Sequence, residues 1–521
     1  MSYTEPLYLF VFLPLALICY QAFPAKWRGK VLIVFSYFFF YSISKKLLIY
    51  LIATTLVTHH IGIWIDNLKA QEKDKTREEK KNLKAREKKV LILGIFIMLA
   101  TLYYFKYWNF TIWNMNRVAS FFSFHRNWME HSILMPIGIS FYTLQAIGYM
   151  ADVYWGRVKA DENLEKTALF LSFFPQIMEG PIARYTDIQD TMFKHESLTM
   201  PNLREGFIRI FWGLFKKLVI ADRASIAVGI IFNNYAQYNG AMILVGAVAY
   251  TVQLYMEFSG CMDIVIGSGK MFGIVLPENF RQPFFAISAS EFWKRWHITL
   301  GAWFKNYIFY PVSTSKLIRD WNHFGKKHFG KYVVKMGTVA IALFPVWLSN
   351  GIWHGARWGY IFYGMYYFII IMFEISTEPL RDLFAKALHI NIKSWGYRLF
   401  QTLKLWIIVV IGEMFFRAGG FHTGLHMFKS IFQNFSLSQI SNVSLLKLGL
   451  DGADYLVIFL GVIIVFAVDL LKENGYSGIK MICSRSYPER CFILLVMIVT
   501  VVVFGAYGEG YQAVDLIYAG F

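Results

Sequence analysis

Cysteine is scarce in this chain. There are four among 521 residues, Cys19, Cys261, Cys483 and Cys491, with no CxxC pair. That spacing excludes a thiolate metal site of the zinc-ribbon kind. Cys19 and Cys261 fall in apolar runs, where a free thiol behaves as a small hydrophobe. Charge is scarce as well, at 17% of residues, against about 25% in a soluble domain. Polar joints are missing: no Pro/Gly/Ser-rich stretch separates independent units. A soluble chain of this length ordinarily divides into several domains with such joints. We therefore read residues 1–521 as a single membrane domain. A cleavable leader is not expected, because the start carries Glu5, no early positive charge and no small-residue cleavage site.

Apolar surface is what the chain has in excess. It is 56% hydrophobic and 18% aromatic, with a mean hydropathy of +0.42. A helix that crosses a bilayer needs about 20 mainly apolar residues. Runs of that kind lie near 6–23, 31–44, 46–65, 90–108, 133–154, 205–221, 240–258, 335–353, 357–375, 398–416, 453–471 and 491–507. They predict an all-α polytopic membrane protein with about 11–12 transmembrane helices. Pro136, Gly138, Pro175, Gly180 and Pro181 interrupt some runs. Irregular backbone at membrane depth survives only where protein buries it or a wet cavity adjoins it. Re-entrant and interfacial helices around a central cavity are therefore expected.

The net charge of +18 has two readings. A basic excess can mark a nucleic-acid binder, but in a polytopic protein it marks cytoplasmic loops. No nucleic-acid partner is expected. Segment 66–89 holds ten Lys/Arg and six Asp/Glu between two apolar runs, and reads as a charged cytoplasmic loop with helical character. The basic loop of Lys26, Arg28 and Lys30 lies two spans earlier, on the same side. That places the N-terminus on the extracytoplasmic face of the cell membrane.

Polar residues inside apolar surroundings are costly in lipid, so each is a functional candidate. Four groups stand out. Asn350-Gly-Ile-Trp353-His354-Gly-Ala lies between two long apolar segments. A histidine there accepts a proton near neutral pH, and burial favours its basic, neutral form. Its plain alternative is a hydrogen-bonded core histidine. Glu291-Phe-Trp-Lys294-Arg295-Trp296-His297 interleaves aromatic and basic residues, as an interfacial helix does. It is either a surface anchor or a site for an anionic donor. Glu257 and Asp263 sit in one apolar run and can orient a histidine or pair with an arginine. Glu179 and Arg184 flank the proline-broken stretch Phe174-Pro-Gln-Ile-Met-Glu-Gly-Pro-Ile and can pair with each other.

At these residues the chain resembles the membrane-bound O-acyltransferase family. The nearest branch is bacterial, with the membrane component of alginate O-acetylation and the D-alanyl transfer protein of teichoic acids. Phe-Pro-x-x-x-x-Gly-Pro-Ile at 174–182, Phe-Ser-Gly-x-x-Asp at 258–263 and Pro-Glu-Asn-Phe at 277–280 carry the likeness. So do Glu-Phe-Trp-Lys-Arg-Trp-His-Ile-Thr-Leu at 291–300, Gly-Ile-Trp-His-Gly-Ala at 351–356 and the tail from 504 to 521. The motifs are densest from 174 to 364. The chain departs from the family where Trp-Leu-Arg-Asp-Tyr and Pro-Leu-Gly-Gly-Asn are common: here 303–307 is Trp-Phe-Lys-Asn-Tyr and 311–315 is Pro-Val-Ser-Thr-Ser. Glu257 also stands where Asp is common.

The resemblance implies two functional histidines, His354 and His297, and a cavity from each face meeting near His354. It implies no resident cofactor or metal. An acyl thioester, either acetyl-CoA or a phosphopantetheine carrier, serves as co-substrate from the cytoplasm. The acceptor is an extracytoplasmic polysaccharide or wall polymer, reached through an esterase-like partner protein. His354 is the expected base, and His297 orients the donor. Asp263, Glu257, Asn350 and Trp353 support them. Lys294, Arg295 and Trp296 are the donor-binding candidates, since basic side chains pair with phosphates. The alternatives are D-alanyl transfer to teichoic acid and, in another class, a transporter or flippase without acyl chemistry.

Overall fold

The computed structural model describes residues 1–73, 75–124, 128–441 and 445–507. Among them the named elements are all helices, and the only isolated β pairing is the Phe280–Trp296 bridge. Each apolar run expected to span a membrane coincides with a helix. Eight stretches are long and apolar enough to cross a membrane on their own. Length alone gives fewer spans than runs because some runs merge and others are cut short. Ala25–Ala70 holds two expected spans, joined at Lys45, where φ is +46°. The run at 133–154 becomes helical only at Ile139, after Pro136 and Gly138. Gly138 has a φ of +69°, and a Cβ there would collide with the Ile177 carbonyl oxygen. The end of the tail motif, from 508, lies outside the described residues.

The charged segment 66–89 is helix at both ends. One helix runs to Ala70, and the next, Arg77–Leu102, starts inside the segment. Thr76 and Glu79 form a capping box at that start: Glu79 N donates to Thr76 Oγ1 and Thr76 N donates to Glu79 Oε2.

Contacts divide the described residues into two compact bodies, 1–210 with 262–277, and 211–261 with 278–507. In the first body the proline-broken stretch 173–183 is wholly buried. Its free backbone groups find side-chain partners. Phe174 N donates to Ser36 Oγ at 3.0 Å, Met178 N donates to Tyr3 Oη at 3.1 Å, and Tyr3 Oη donates to Phe174 O at 2.9 Å. This is how non-helical backbone survives away from water. Arg184 does not need Glu179 as its acid, since its guanidinium grips Asp187 at 2.7 and 3.1 Å.

The second body contains the helical hairpin Lys331–His354 and Trp358–Ala387. Gly351 and Gly364 let its two backbones touch: a Cβ on Gly351 would stand 2.5 Å from Tyr360 O. A helix from Trp395 to Arg417 follows, tied back by Tyr366 Oη, which donates to Ile408 O at 2.9 Å. Ionic clasps hold other helices of this body. Lys217, 1% exposed, donates to Asp222 at 2.6 Å and to Glu257 at 3.1 Å. Arg223 meets Asp454 at 2.7 Å. Buried charges persist only when paired this way.

Candidate active site

The site is assembled from several segments of the second body. Helix Ala289–Arg295 is fixed at its start by two acceptors: Ser288 Oγ takes the Glu291 N–H at 3.1 Å, and both carboxylate oxygens of Glu374 face Ala289 N at 3.1 and 3.0 Å. The helix ends at Trp296, which turns extended and pairs with Phe280. His297 then adopts the left-handed conformation, with φ and ψ both 49°. Such a conformation costs a residue other than glycine about 1–3 kcal/mol and persists only where its surroundings impose it. Here they do: Arg281 N donates to Arg295 O at 2.9 Å and Ile298 N to Asn279 O at 3.0 Å, so the chain is held on both sides of the kink.

The kink buries the imidazole of His297, which is 1% exposed. Asn279 Oδ1 stands 3.3 Å from His297 Nδ1 and accepts from Thr299 N at 3.1 Å and Thr299 Oγ1 at 2.9 Å. Phe258 packs edge-on against the ring at 4.8 Å. His297 lies outside the eight membrane-spanning stretches. Burial pushes its pKa well below the ordinary 6.5, to about 3, so the ring is neutral at any physiological pH.

His354 ends helix Lys331–His354 and is 3% exposed. Its ring centroid is 6.5 Å from that of His297. Trp353 touches both rings, at 5.1 Å from His354 and 5.7 Å from His297. Phe416 and Tyr363 stand perpendicular to the His354 ring, at 5.2 and 5.9 Å. Tyr363 Oη donates to Glu413 Oε1 at 2.9 Å, and Glu413 is 1% exposed.

A cavity of about 560 Å³ reaches this place. Its rim includes Lys294, Gly301 and Lys305, all exposed. At its buried end are His297 and Asn350, and its wall is apolar, from Trp293, Val339, Leu343, Val346 and Trp347. Part of the rim, Lys305–Phe309, is π-helical, a geometry frequent at functional sites. Asn350 is 5% exposed, and its Oδ1 has no hydrogen-bond partner among the described residues.

The structure thus brings together His297, His354, Trp353 and Asn350, with Lys294 on the cavity rim. The remaining candidates sit elsewhere. Arg295 is clasped by Glu473 at 2.7 and 3.1 Å and by Glu291 at 2.7 Å. Trp296 is packed among Phe280, Phe292 and Tyr255. Glu257 serves Lys217, and Asp263, in the first body, meets Arg209 at 2.9 Å. Three residues were passed over in the sequence: Asn279, Tyr363 and Glu413. Glu413 carried a signal, since it is a lone carboxylate in the run Leu405–Phe416. Asn279 lay inside the Pro-Glu-Asn-Phe motif but had no partner to suggest a task.

Comparison with known proteins gives a consistent picture. The model of the membrane-bound O-acyltransferase family, MBOAT, matches residues 161–324, which takes in His297 and stops short of His354. The "Probable alginate O-acetylase AlgI" of Pseudomonas aeruginosa is 32% identical over 467 residues, which is 88% of this chain and 81% of that protein. The peptidoglycan O-acetyltransferase of Helicobacter pylori is 27% identical over 490 residues, 87% of this chain and 83% of that one. The teichoic acid D-alanyltransferase of Bacillus subtilis is 30% identical over 257 residues, 46% of this chain and 59% of its own.

Proposed function

The chain belongs to the membrane-bound O-acyltransferase family, and on that premise we propose that it moves an acetyl group from a cytoplasmic thioester to a hydroxyl of an extracytoplasmic polysaccharide or wall polymer. The observation that carries this reading is the pairing of two buried histidines, 6.5 Å apart, with one of them on the wall of an apolar cavity with a lysine rim. An alcohol is a poor nucleophile until a base takes its proton. His354 is that base in our reading, a role worth about 10²–10⁴-fold in rate. The alcohol oxygen then bonds to the thioester carbonyl carbon, the C–S bond breaks, and the thiol leaves with the proton. Charge that develops on the carbonyl oxygen needs a fixed donor. The Asn350 side-chain amide, at the buried end of the cavity, suits that task.

The cavity fits the arm of an acyl-CoA or a carrier-bound phosphopantetheine. Lys294 and Lys305 on its rim are placed for phosphate. Acetyl is favoured over D-alanyl by the extent of likeness: the acetyl-transferring relatives align over 85–88% of this chain, the D-alanyl relatives over 46%. The named acceptors of those relatives, alginate and peptidoglycan, point to an envelope polymer. We further propose that a membrane-anchored, esterase-like partner hands the group on, and that the N-terminus faces outward. The test is chemical. Envelope polymers from cells with and without the gene are treated with mild base and the released acid is identified. Acetate dependent on the gene supports the reading; D-alanine replaces it with the teichoic-acid alternative; equal release from both overturns it.

A further inference from the structure

Which way His297 can hydrogen-bond is written in its neighbours. Asn279 is wholly buried, and its Oδ1 atom faces three groups: Thr299 N at 3.1 Å, Thr299 Oγ1 at 2.9 Å and His297 Nδ1 at 3.3 Å. Oxygen and nitrogen of a side-chain amide are ordinarily interchangeable on shape alone. Here they are not. A backbone N–H only donates, so the Asn279 atom that meets Thr299 N must be the oxygen. An amide oxygen only accepts, so a neutral His297 must carry its proton on Nδ1 to meet it. The lone pair then lies on Nε2.

The same oxygen does a second job. Thr299 is in the first turn of helix Ile298–Phe304, whose N–H groups have no partner within the helix. The N-cap position is His297, whose own side chain makes no capping bond. Asn279 caps the turn from across the β bridge, and this fixes its amide plane before any substrate arrives. The left-handed backbone at His297 carries the imidazole to the same oxygen.

We propose that Asn279 is a positioning residue that locks His297 as the Nδ1–H tautomer, so that Nε2 acts as a hydrogen-bond acceptor during acyl transfer. The proposal rests on the O-acyltransferase reading above and deepens it. It assigns His297 a task by exclusion. A neutral ring held this way takes a hydrogen bond from an O–H or N–H group of the substrate. It cannot donate to the thioester carbonyl oxygen, so the oxyanion must be met by another group.

The test uses the full-length chain, labelled with 15N-histidine and reconstituted in phospholipid bilayers. Solid-state NMR of imidazole nitrogens distinguishes protonated from lone-pair nitrogen, and subtraction of the His297→Gln spectrum isolates His297. We expect a protonated Nδ1 and a lone-pair Nε2 across neutral pH; a protonated Nε2 overturns the proposal. Asn279→Asp keeps an acceptor and should keep the Nδ1–H signature. Asn279→Leu removes it and should lose the signature together with about tenfold or more of the base-labile envelope ester, on the scale seen when the orienting partner of a metal-bound histidine is removed. Wild-type ester with normal membrane level in Asn279→Leu overturns the role of Asn279. If that variant does not accumulate, the wild-type and Asn279→Asp spectra decide alone. Failure of the enzymatic reading looks different: wild-type cells would then carry no more ester than His354→Ala cells, whatever the spectra show.

Discussion

His297 and His354 are 57 residues apart in sequence, and their ring centroids are 6.5 Å apart in space. Trp353 touches both rings, so the pair is held by packing. Neither histidine is set apart by its own segment: one ends a long apolar helix, the other sits at a kink between two short ones. What makes a site is their approach in space, with His297 on the wall of the cavity and His354 close behind it.

His354→Ala should reduce envelope ester by about 10²–10⁴-fold, the range for losing a general base. Ester is measured by mild-base release and normalised to the chain's level in the membrane. Wild-type ester at normal level removes His354 from the chemistry.

Glu413 accepts the Tyr363 hydroxyl at 2.9 Å beside the His354 ring. Glu413→Gln keeps an acceptor, whereas Glu413→Leu removes the carboxylate that accepts from the Tyr363 hydroxyl, a loss of about 1–3 kcal/mol. The Leu variant should melt lower than the Gln variant in detergent. Equal melting temperatures would show that the Tyr363 bond contributes nothing.

Lys217 balances Asp222 and Glu257. Lys217→Met strands two buried carboxylates, a loss of about 3–5 kcal/mol by the cost of breaking a buried pair. The variant should fall sharply in membrane abundance, and adding Glu257→Gln should restore part of it. An abundant single variant contradicts the clasp.

Val346 lines the cavity and Phe344, 45% exposed, lies outside it on the same helix. Val346→Trp should lower ester formation by about tenfold or more through displacing the donor arm. Phe344→Trp should leave it near wild type. The reverse pattern would mean the cavity is not the donor route.

Burial lowers the His297 pKa from 6.5 to about 3. Its unfolded-state ring therefore binds a proton at a higher pH than its folded-state ring. Stability from this group is complete above pH 6.5 and is lost as pH falls from there toward about 3. Wild type should lose thermal stability over that window faster than His297→Gln, followed by melting at stepped pH. Parallel curves would contradict a neutral buried ring.

Much of the fold was legible because lipid makes structure local. A run of about 20 apolar residues has to satisfy its own backbone, so helices follow from composition. That is why runs such as 398–416 and 453–471 reappear as Trp395–Arg417 and Gly452–Glu473. Even the broken stretch at 174–182 announced burial, since such backbone cannot face lipid.

Partners were not legible, because no local rule names them. Lys294 and Arg295 are adjacent and chemically alike as cations, yet Lys294 stands on the cavity rim and Arg295 is clasped by Glu473, 178 residues away. Glu257 and Asp263 share one helix, and their cations come from Lys217 and Arg209.

The sequence by itself determined the class of protein, the helices and the two histidines worth attention, since hydrophobic length and the cost of a polar group in lipid are properties of the local chain. Only the tertiary structure decided that His297 meets His354, that Asn279 faces His297, and that Glu413 stands behind Tyr363. Hydrogen bonds and ring contacts form between atoms a few ångströms apart, and segments 57 residues apart in sequence come that close only once the helices have packed.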